Sequence, residues 1–183
     1  ETAAVFTPDG YFMSGDIGKF DEKGNLLITD RKKDILITSG GKNIAPQMIE
    51  GLFKSDPLFT QFIVIGEGKK YLTGLCNIDL EIAAMIADDE KIPYRKPVDL
   101  LDNDRFLDIV KKHVEERNSH LAKYETIKDY RIIKTEFSQA GGEMTATLKL
   151  KRKVIYEKYR DLIDEMYGKE EVDELYGKKQ SRA

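Results

Sequence analysis

Three kinds of residue that can bind a nucleotide lie near the start of the chain. They are an acidic residue, Asp16, an arginine, Arg31, and the glycine turn at Gly40 and Gly41. A carboxylate can accept hydrogen bonds from ribose hydroxyls, a guanidinium can donate to ribose or phosphate, and glycine lets a ligand approach the backbone closely. This combination suits a phosphorylated nucleotide. A turn aspartate and a solvated charge run are the simpler explanations of Asp16 and Arg31.

The glycine turn does not form a known phosphate-binding motif. Its spacing differs from GxxxxGK[ST], and Lys42 is followed by asparagine rather than by serine or threonine. We therefore reject a P-loop here. A turn from strand to helix that needs a positive φ explains the same glycines.

Length and composition limit the kinds of protein and site that this chain can form. Its 183 residues suffice for one well-packed domain, and 40% hydrophobic with 34% charged residues is typical of a globular protein with a solvated surface. A formal net charge of -3 gives no reason to expect a nucleic-acid partner. One cysteine excludes an intrachain disulfide, and two histidines leave no convincing set of metal ligands, so we predict no metal site.

Apolar runs and isolated reactive residues give further expectations. No run approaches the ~18 residues of a membrane-spanning helix and no signal peptide is visible, so we expect a cytoplasmic protein. Cys76 lies within the apolar run 72–78, which predicts a buried and unreactive thiol. His113 lies on or beside the apolar stripe of a helix with no accompanying nucleophile, which predicts a structural role.

Apolar periodicity and turn residues predict strands that alternate with short helices. The predicted strands are 25–29, 34–38, 62–65, 72–78 and 129–135. The predicted helices are 46–54, with Met48, Ile49, Leu52 and Phe53 inward, a short one capped by Asp79, and a longer one from about Asp102 or Asn103. The expected product is a small α+β domain in which a short β-sheet is flanked by helices.

Three consecutive motifs carry a resemblance to a known family. They are Phe12-Met13-Ser14-Gly15-Asp16, Asp30-Arg31-Lys32-Lys33-Asp34, and Gly40-Gly41-Lys42-Asn43-Ile44 followed by Pro46 and Glu50. In order and spacing they resemble the adenylate-forming, or AMP-binding, superfamily, and within it the long-chain fatty acid-CoA ligases. A fourth motif lies near Lys149, and the resemblance covers roughly residues 1–167.

The resemblance implies a role for individual residues. Asp16 matches the acidic residue that binds the ribose hydroxyls, Arg31 matches an arginine that contacts the nucleotide, and Lys33 matches the hinge about which two domains turn. The glycine loop matches one that lines the channel for the pantetheine of CoA, and its residues are Gly40, Gly41, Lys42 and Asn43.

By the same resemblance, Lys149 is the catalytic lysine, in a segment 144–153 that enters the final helix. A cation at the start of a helix can join the backbone N–H groups in neutralising charge as a carboxylate attacks the α-phosphate of ATP. The family commonly has proline where this chain has Ala146, which leaves the rigidity of the loop open. The other interpretation of Lys149 is a basic helix end without catalytic function.

The resemblance further implies that the chain is part of a two-domain enzyme. Residues 1–32 would be the end of a large N-terminal domain and would include a β-hairpin region with its turn at 21–25. Residues 33–167 would be a mobile C-terminal domain, and residues 168–183 a charged, disordered tail. Because the first residue is not methionine and family members carry a large domain upstream, we expect a fragment.

The expected function is that of the C-terminal part of an ATP-dependent fatty acyl-CoA ligase, inactive on its own. Its implied partners are a fatty acid, ATP or AMP, CoA as co-substrate, and the N-terminal domain, which would bind most of the ATP and Mg²⁺. Peripheral contact with a membrane is compatible with a fatty-acid substrate. Two alternatives stay open: transfer of the acyl group to a carrier-protein thiol, and a stand-alone binding or regulatory module without catalysis.

Overall fold

A computed structural model describes residues 5–177 of the chain, with side chains described as far as Gly168. Its strands are β1 (Asp16–Phe20), β2 (Leu26–Arg31), β3 (Leu36–Ile37), β4 (Asn43–Ile44), β5 (Phe59–Ile65), β6 (Leu72–Ile78) and β7 (Ile127–Ile132). Its helices are α1 (Pro46–Lys54), α2 (Leu80–Asp89), α3 (Asp104–Ser119), α4 (Arg152–Lys158) and α5 (Arg160–Gly177), with a 3₁₀ turn at Pro97–Asp102. The predicted α+β class is confirmed.

Three separate sheets form along the described chain. β1 and β2 are an antiparallel hairpin, and β3 and β4 are a second, shorter antiparallel pair. The main sheet has the order β5-β6-β7, in which β6 pairs antiparallel with β5 and parallel with β7. β6 is thus the central strand, and all seven of its residues are buried.

The main sheet separates two apolar cores. Because successive strand residues point to opposite faces, Phe62 and Val64 of β5 join one core while Ile63 and Ile65 join the other. The first core is formed with α1, α2 and α3, and in it the rings of Phe53 and Phe62 stack with their centroids 3.9 Å apart. The second core is formed with α4 and α5. The sheet is therefore covered by helices on both faces.

Two helix starts are fixed by side-chain caps, and the sequence predicts the cap at Asp79. The Asp79 carboxylate accepts hydrogen bonds from the backbone N–H groups of Glu81 and Ile82, at the start of α2. The Asn103 side chain accepts one from the backbone N–H of Phe106, at the start of α3. Such caps satisfy N–H groups that lack a partner within the helix.

Several predicted elements differ from those observed. α1 has the predicted bounds, but Met48 is exposed and the buried residues are Pro46, Ile49, Glu50 and Phe53, so the predicted inward face was wrong at Met48. The segment 144–153, predicted to enter a single final helix, becomes helical only at Arg152, and two helices follow, α4 and α5. α5 then continues through Gly177, past residue 168 where the tail was predicted to lose order, and residues 178–183 lie outside the described residues.

The first hairpin carries apolar side chains on its surface. Phe20, Leu26 and Ile28 are respectively 74%, 59% and 62% exposed. Two adjacent strands that expose large apolar residues form a surface that other proteins cover by contact with another domain or chain.

Two glycine substitutions should have opposite effects on stability. A Cβ at Gly74 would lie 2.4 Å from the Phe62 ring, which is held in the first core, so Gly74→Ala should lower the free energy of unfolding by about 1–3 kcal/mol. A Cβ at Gly51, within α1, would meet nothing within 4 Å, so Gly51→Ala should raise it by about 1 kcal/mol. Urea denaturation of both variants measures this, and a Gly74→Ala variant as stable as the parent would contradict the packing described.

Candidate functional site

Asp16 and Arg31 face each other across the first hairpin. They are paired residues in the β1–β2 register, and Arg31 Nε lies 3.3 Å from Asp16 Oδ1. Both side chains are partly exposed, and such ion pairs contribute only ~0–1 kcal/mol to stability. The structure therefore brings together the two predicted nucleotide-binding residues, with both still open to a ligand.

The segment around Lys33 is tied to the start of α1. Asp30 is buried, and its carboxylate accepts hydrogen bonds from the backbone N–H of Arg31 at 2.7 Å and of Gln47 at 3.0 Å. The Gln47 side chain also donates to Asp34 at 3.1 Å. Lys33 itself is exposed between these two contacts. Asp30 thus caps α1 from outside the helix, a role that no local sequence pattern indicates.

Lys149 lies in a tight turn rather than in a helix. Met144 and Leu150 form an antiparallel bridge, and the Thr145 N–H donates to the Lys149 carbonyl at 2.8 Å. The Lys149 N–H donates in turn to the Thr145 hydroxyl at 3.0 Å. Since α4 begins only at Arg152, the prediction that Lys149 stands at the start of a helix was wrong, and the helix-dipole argument does not apply to it.

Backbone geometry also holds this turn, although Ala146 replaces the family's usual proline. Leu148 has a φ of 59°, which non-glycine residues rarely adopt, and its side chain is exposed. The hydroxyls of Thr145 and Thr147 lie 3.0 Å apart. These contacts constrain the turn without a proline at position 146.

A buried ion pair fastens one end of the Lys149 turn. The Arg152 guanidinium donates to both carboxylate oxygens of Glu50 at 2.6 Å, and it also donates to the Val64 carbonyl at 3.3 Å. Glu50 accepts a further bond from the Val64 N–H at 2.8 Å. Burial raises the pKa of the Glu50 carboxyl, and the charge of Arg152 opposes that rise.

A second buried carboxylate fastens the other end. Glu143 accepts hydrogen bonds from the Lys158 ammonium and from the backbone N–H of Ser138, and its backbone carbonyl accepts one from the Lys151 N–H at 2.7 Å. Burial acts to raise the pKa of Glu143, but the hydrogen bond from Lys158, the hydrogen bonds from backbone N–H groups and the charge of Lys158 together outweigh it, so the pKa lies below its ordinary value of 4.5. The same hydrogen bond raises the pKa of Lys158.

Three of the predicted site residues line one groove. This groove has a volume of about 730 Å³, and its walls include Arg31, Lys33 and Lys149. Lys54 and Arg152 add further positive charge, against the carboxylates of Asp34 and Glu50. We refer to it as the lysine groove. Its excess of cations suits a phosphorylated anion.

The glycine loop lies elsewhere. Gly40, Gly41, Lys42 and Asn43 belong to the β3–β4 turn, where the Thr38 N–H donates to the Lys42 carbonyl at 3.0 Å and Gly41 has a φ of 72°. The Lys42 ammonium lies 5.6 Å from the centre of the Tyr124 ring. None of the four lines the lysine groove. The structure therefore does not bring the glycine loop together with Lys149.

The two other reactive side chains, His113 and Cys76, contact only groups of the domain itself. His113 Nδ1 lies 2.7 Å from the buried Asp56 carboxylate, and burial raises the pKa of the Cys76 thiol. Among the described residues, no group of three or more histidine, cysteine, aspartate or glutamate side chains is placed to hold a metal. None of the helices described between residues 5 and 177 has the length and apolarity needed to cross a bilayer.

Comparison with known families places the chain. The sequence profile described as "AMP-binding enzyme C-terminal domain" matches residues 33–171. The chain belongs to this family. The resemblance inferred from its motifs is thereby confirmed.

Two long-chain-fatty-acid–CoA ligases align with most of this chain. The long-chain-fatty-acid–CoA ligase FadD15 of Mycobacterium tuberculosis is 36% identical over 170 residues, which are 92% of this chain and 28% of that protein. ACSBG2 of Gallus gallus, also a long-chain-fatty-acid–CoA ligase, is 32% identical over 187 residues, 92% of this chain and 24% of that protein. The chain thus spans less than a third of these relatives.

Among solved structures, the adenylation domain of a carboxylate reductase from Mycobacterium chelonae matches with a TM-score of 0.70. The two are 23% identical, and the match covers 91% of this chain and 24% of that one. At this identity the likeness concerns the fold alone. It supports the expected fold of an adenylate-forming enzyme's C-terminal part.

The acid stability of this AMP-binding C-terminal domain should depend on Glu143. Because the folded state lowers the pKa of Glu143, its carboxylate contributes stability above pH 4.5, and that contribution is lost as the pH falls through the folded-state pKa. Glu143→Gln should therefore flatten the fall in free energy of unfolding below about pH 4.5. Urea denaturation across this pH range measures it, with Glu157→Gln, an exposed glutamate of α4, as the control. Identical slopes for the parent and both variants would exclude this contribution.

Proposed function

We propose that this chain is the C-terminal part of an ATP-dependent fatty acyl-CoA ligase. The observation that carries the proposal is the lysine groove, in which Arg31, Lys33 and Lys149 converge from distant parts of the sequence. Relatives named long-chain-fatty-acid–CoA ligases, 32–36% identical over nearly the whole chain, supply the substrate class.

The proposed reaction has two steps. In the first, the fatty-acid carboxylate attacks the α-phosphate of ATP, giving an acyl-adenylate and releasing pyrophosphate. In the second, the CoA thiol attacks the acyl carbonyl, giving the thioester and releasing AMP with loss of the thiol proton. Lys149 would serve the first step, because an exposed ammonium on a constrained turn can offset charge that develops at the α-phosphate.

Asp16 and Arg31 would contact the nucleotide in both steps. The Asp16 carboxylate would accept from the ribose hydroxyls, and the Arg31 guanidinium, held 3.3 Å away, would donate to ribose or phosphate. We propose that Mg²⁺ accompanies ATP and is held by residues outside this chain together with the phosphates. The groove is rich in cations, which fits phosphate oxygens rather than the metal.

Separation of the glycine loop from Lys149 supports a hinge at Lys33. If one active site uses Lys149 in the first step and the loop of Gly40, Gly41, Lys42 and Asn43 in the second, the domain that carries both must turn between steps. Lys33 is exposed and lies in the short link between β2 and β3, at the boundary of the two proposed domains.

The exposed hairpin supports a boundary near residue 33. We propose that residues 1–32 belong to a large N-terminal domain, and that Phe20, Leu26 and Ile28 pack against it. Residues 33–167 would then form the domain that moves. We further propose a cytoplasmic enzyme whose contact with membranes, where fatty acids partition, is peripheral.

Lys149→Ala in the full-length protein should separate the two half-reactions. Loss of the ammonium should lower the kcat of adenylation by about 10²–10³-fold, while thioester formation from supplied acyl-adenylate largely survives. ATP–pyrophosphate exchange measures the first step, and thioester yield measures the second. Lys151→Ala is the matched control, because Lys151 is also basic and exposed in the same segment. Equal loss of both half-reactions in Lys149→Ala would refute the assignment, as would equal effects of the two variants.

The isolated chain should be inactive. The chain spans 28% of the FadD15 length, so adenylation should need groups that this chain does not contain. We expect no ATP–pyrophosphate exchange and at most weak AMP binding by the purified 183-residue chain. Fatty-acid-dependent exchange by this chain alone would contradict the proposed division of the active site.

A further inference from the structure

The Lys149 turn has few attachments to the rest of the domain. Its base is the bridge between Met144 and Leu150, extended by the hydrogen bond from the Lys151 N–H to the Glu143 carbonyl. Residues 146–149 between these contacts are exposed. The direction in which Lys149 projects therefore depends on how the two ends of the turn are fixed.

Glu50 fixes the end nearer to Lys149. Glu50 is 8% exposed, and its carboxylate receives three hydrogen bonds, one from the Val64 N–H and two from Arg152 Nη2. Arg152 follows Lys149 closely in sequence. A buried carboxylate without its cation is strongly destabilised. Moving Arg152 away from Glu50 would therefore cost free energy, and this holds Arg152 in place. Arg152 Nη2 contacts both carboxylate oxygens while Nη1 donates to the Val64 carbonyl, and these contacts together fix the orientation of the guanidinium as well as its distance.

The helix that carries Glu50 is itself fixed at its start. Asp30 binds the Gln47 N–H, and Ile49 and Phe53 are fully buried on the same face of α1 as Glu50. Contacts thus run without a break from Asp30, beside the proposed hinge, through α1 to Glu50, then to Arg152 and the turn. Glu50 and Lys149 also line the same groove.

From this arrangement we propose that Glu50 is a positioning residue for adenylation, which orients Lys149 through Arg152. The inference rests on the proposed function of Lys149. Glu143 and Lys158 hold the other end of the turn independently of Glu50, so the turn keeps one attachment when Glu50 is neutralised. Loss of the Glu50 charge should therefore displace Lys149 without unfolding the domain.

Glu50→Gln in the full-length protein tests the proposal. The amide oxygen can still accept the Val64 N–H, but the charge that holds Arg152 is gone. We expect the kcat of adenylation, measured by ATP–pyrophosphate exchange at saturating ATP and fatty acid, to fall about 10- to 100-fold, with little change in KM. Thioester formation from supplied acyl-adenylate should be retained.

The deciding measurement is Glu50→Gln made in the Lys149→Ala background. A residue that acts through Lys149 has nothing left to position there, so the second substitution should lower adenylation no further. An undiminished additional loss in that background would overturn the proposal, and so would an equal loss of both half-reactions in the single variant. Failure of the proposed function is distinguishable, because Lys149→Ala would then itself leave adenylation intact.

Asp56→Asn is the matched control. Asp56 is 4% exposed, lies 3.6 Å from Arg117, and accepts the Leu58 N–H at 3.0 Å, so it resembles Glu50 in burial and partners while contacting α3 rather than the turn. It should lower the melting temperature as Glu50→Gln does, but leave adenylation unchanged. Equal losses of adenylation in Asp56→Asn and Glu50→Gln would mean that Glu50→Gln acts through lower stability, which would overturn the proposal. If Glu50→Gln does not fold, Arg152→Lys, which keeps the charge but loses the second nitrogen that donates to the Val64 carbonyl, carries the same test.

Discussion

A carboxylate buried in a protein must be met by cations and N–H groups, and this constraint organises the domain. Asp30, Glu50, Asp56 and Glu143 are all nearly inaccessible, and each is hydrogen-bonded to backbone N–H groups. Three of them also hold a basic side chain. Since an unpaired buried charge would cost several kcal/mol, each carboxylate obliges particular segments to meet. The position of the exposed Lys149 depends on two of these buried contacts, those of Glu50 and Glu143.

Local sequence patterns predicted the elements well and the contacts between them poorly. Several local signals act within a few residues and can be recognised in sequence. They are the apolar runs of β5 and β6, the proline at the start of α1 and the cap Asp79. The Glu50–Arg152 pair joins segments on either side of the whole domain and leaves no local pattern. A signal existed nevertheless: with Ile49 and Phe53 inward, Glu50 shares the apolar face of α1, whereas we had placed Met48 there.

For the candidate site too, the sequence predicted which residues to consider but not how they are arranged. The family motifs single out four candidate site residues: Asp16, Arg31, Lys33 and Lys149. The sequence alone does not show that Lys149 lies in a turn. Leu148 adopts its positive φ without a glycine, so the usual mark of such a turn is missing. Nor could sequence show that Arg31, Lys33 and Lys149 share a groove that excludes the glycine loop. The hinge proposed at Lys33 rests on that separation.

The parallel pairing of β6 with β7 affects the order in which the molecule assembles. β5 and β6 are joined by a short turn, whereas α2, the 3₁₀ turn and α3 lie between β6 and β7, so the pairing of β7 closes a longer loop. Asn77 of β6 then binds the Ile133 and Thr135 carbonyls and the Phe137 N–H, which draws in the segment leading to Lys149. The attachment of that segment to the central strand therefore depends on the longer loop closure.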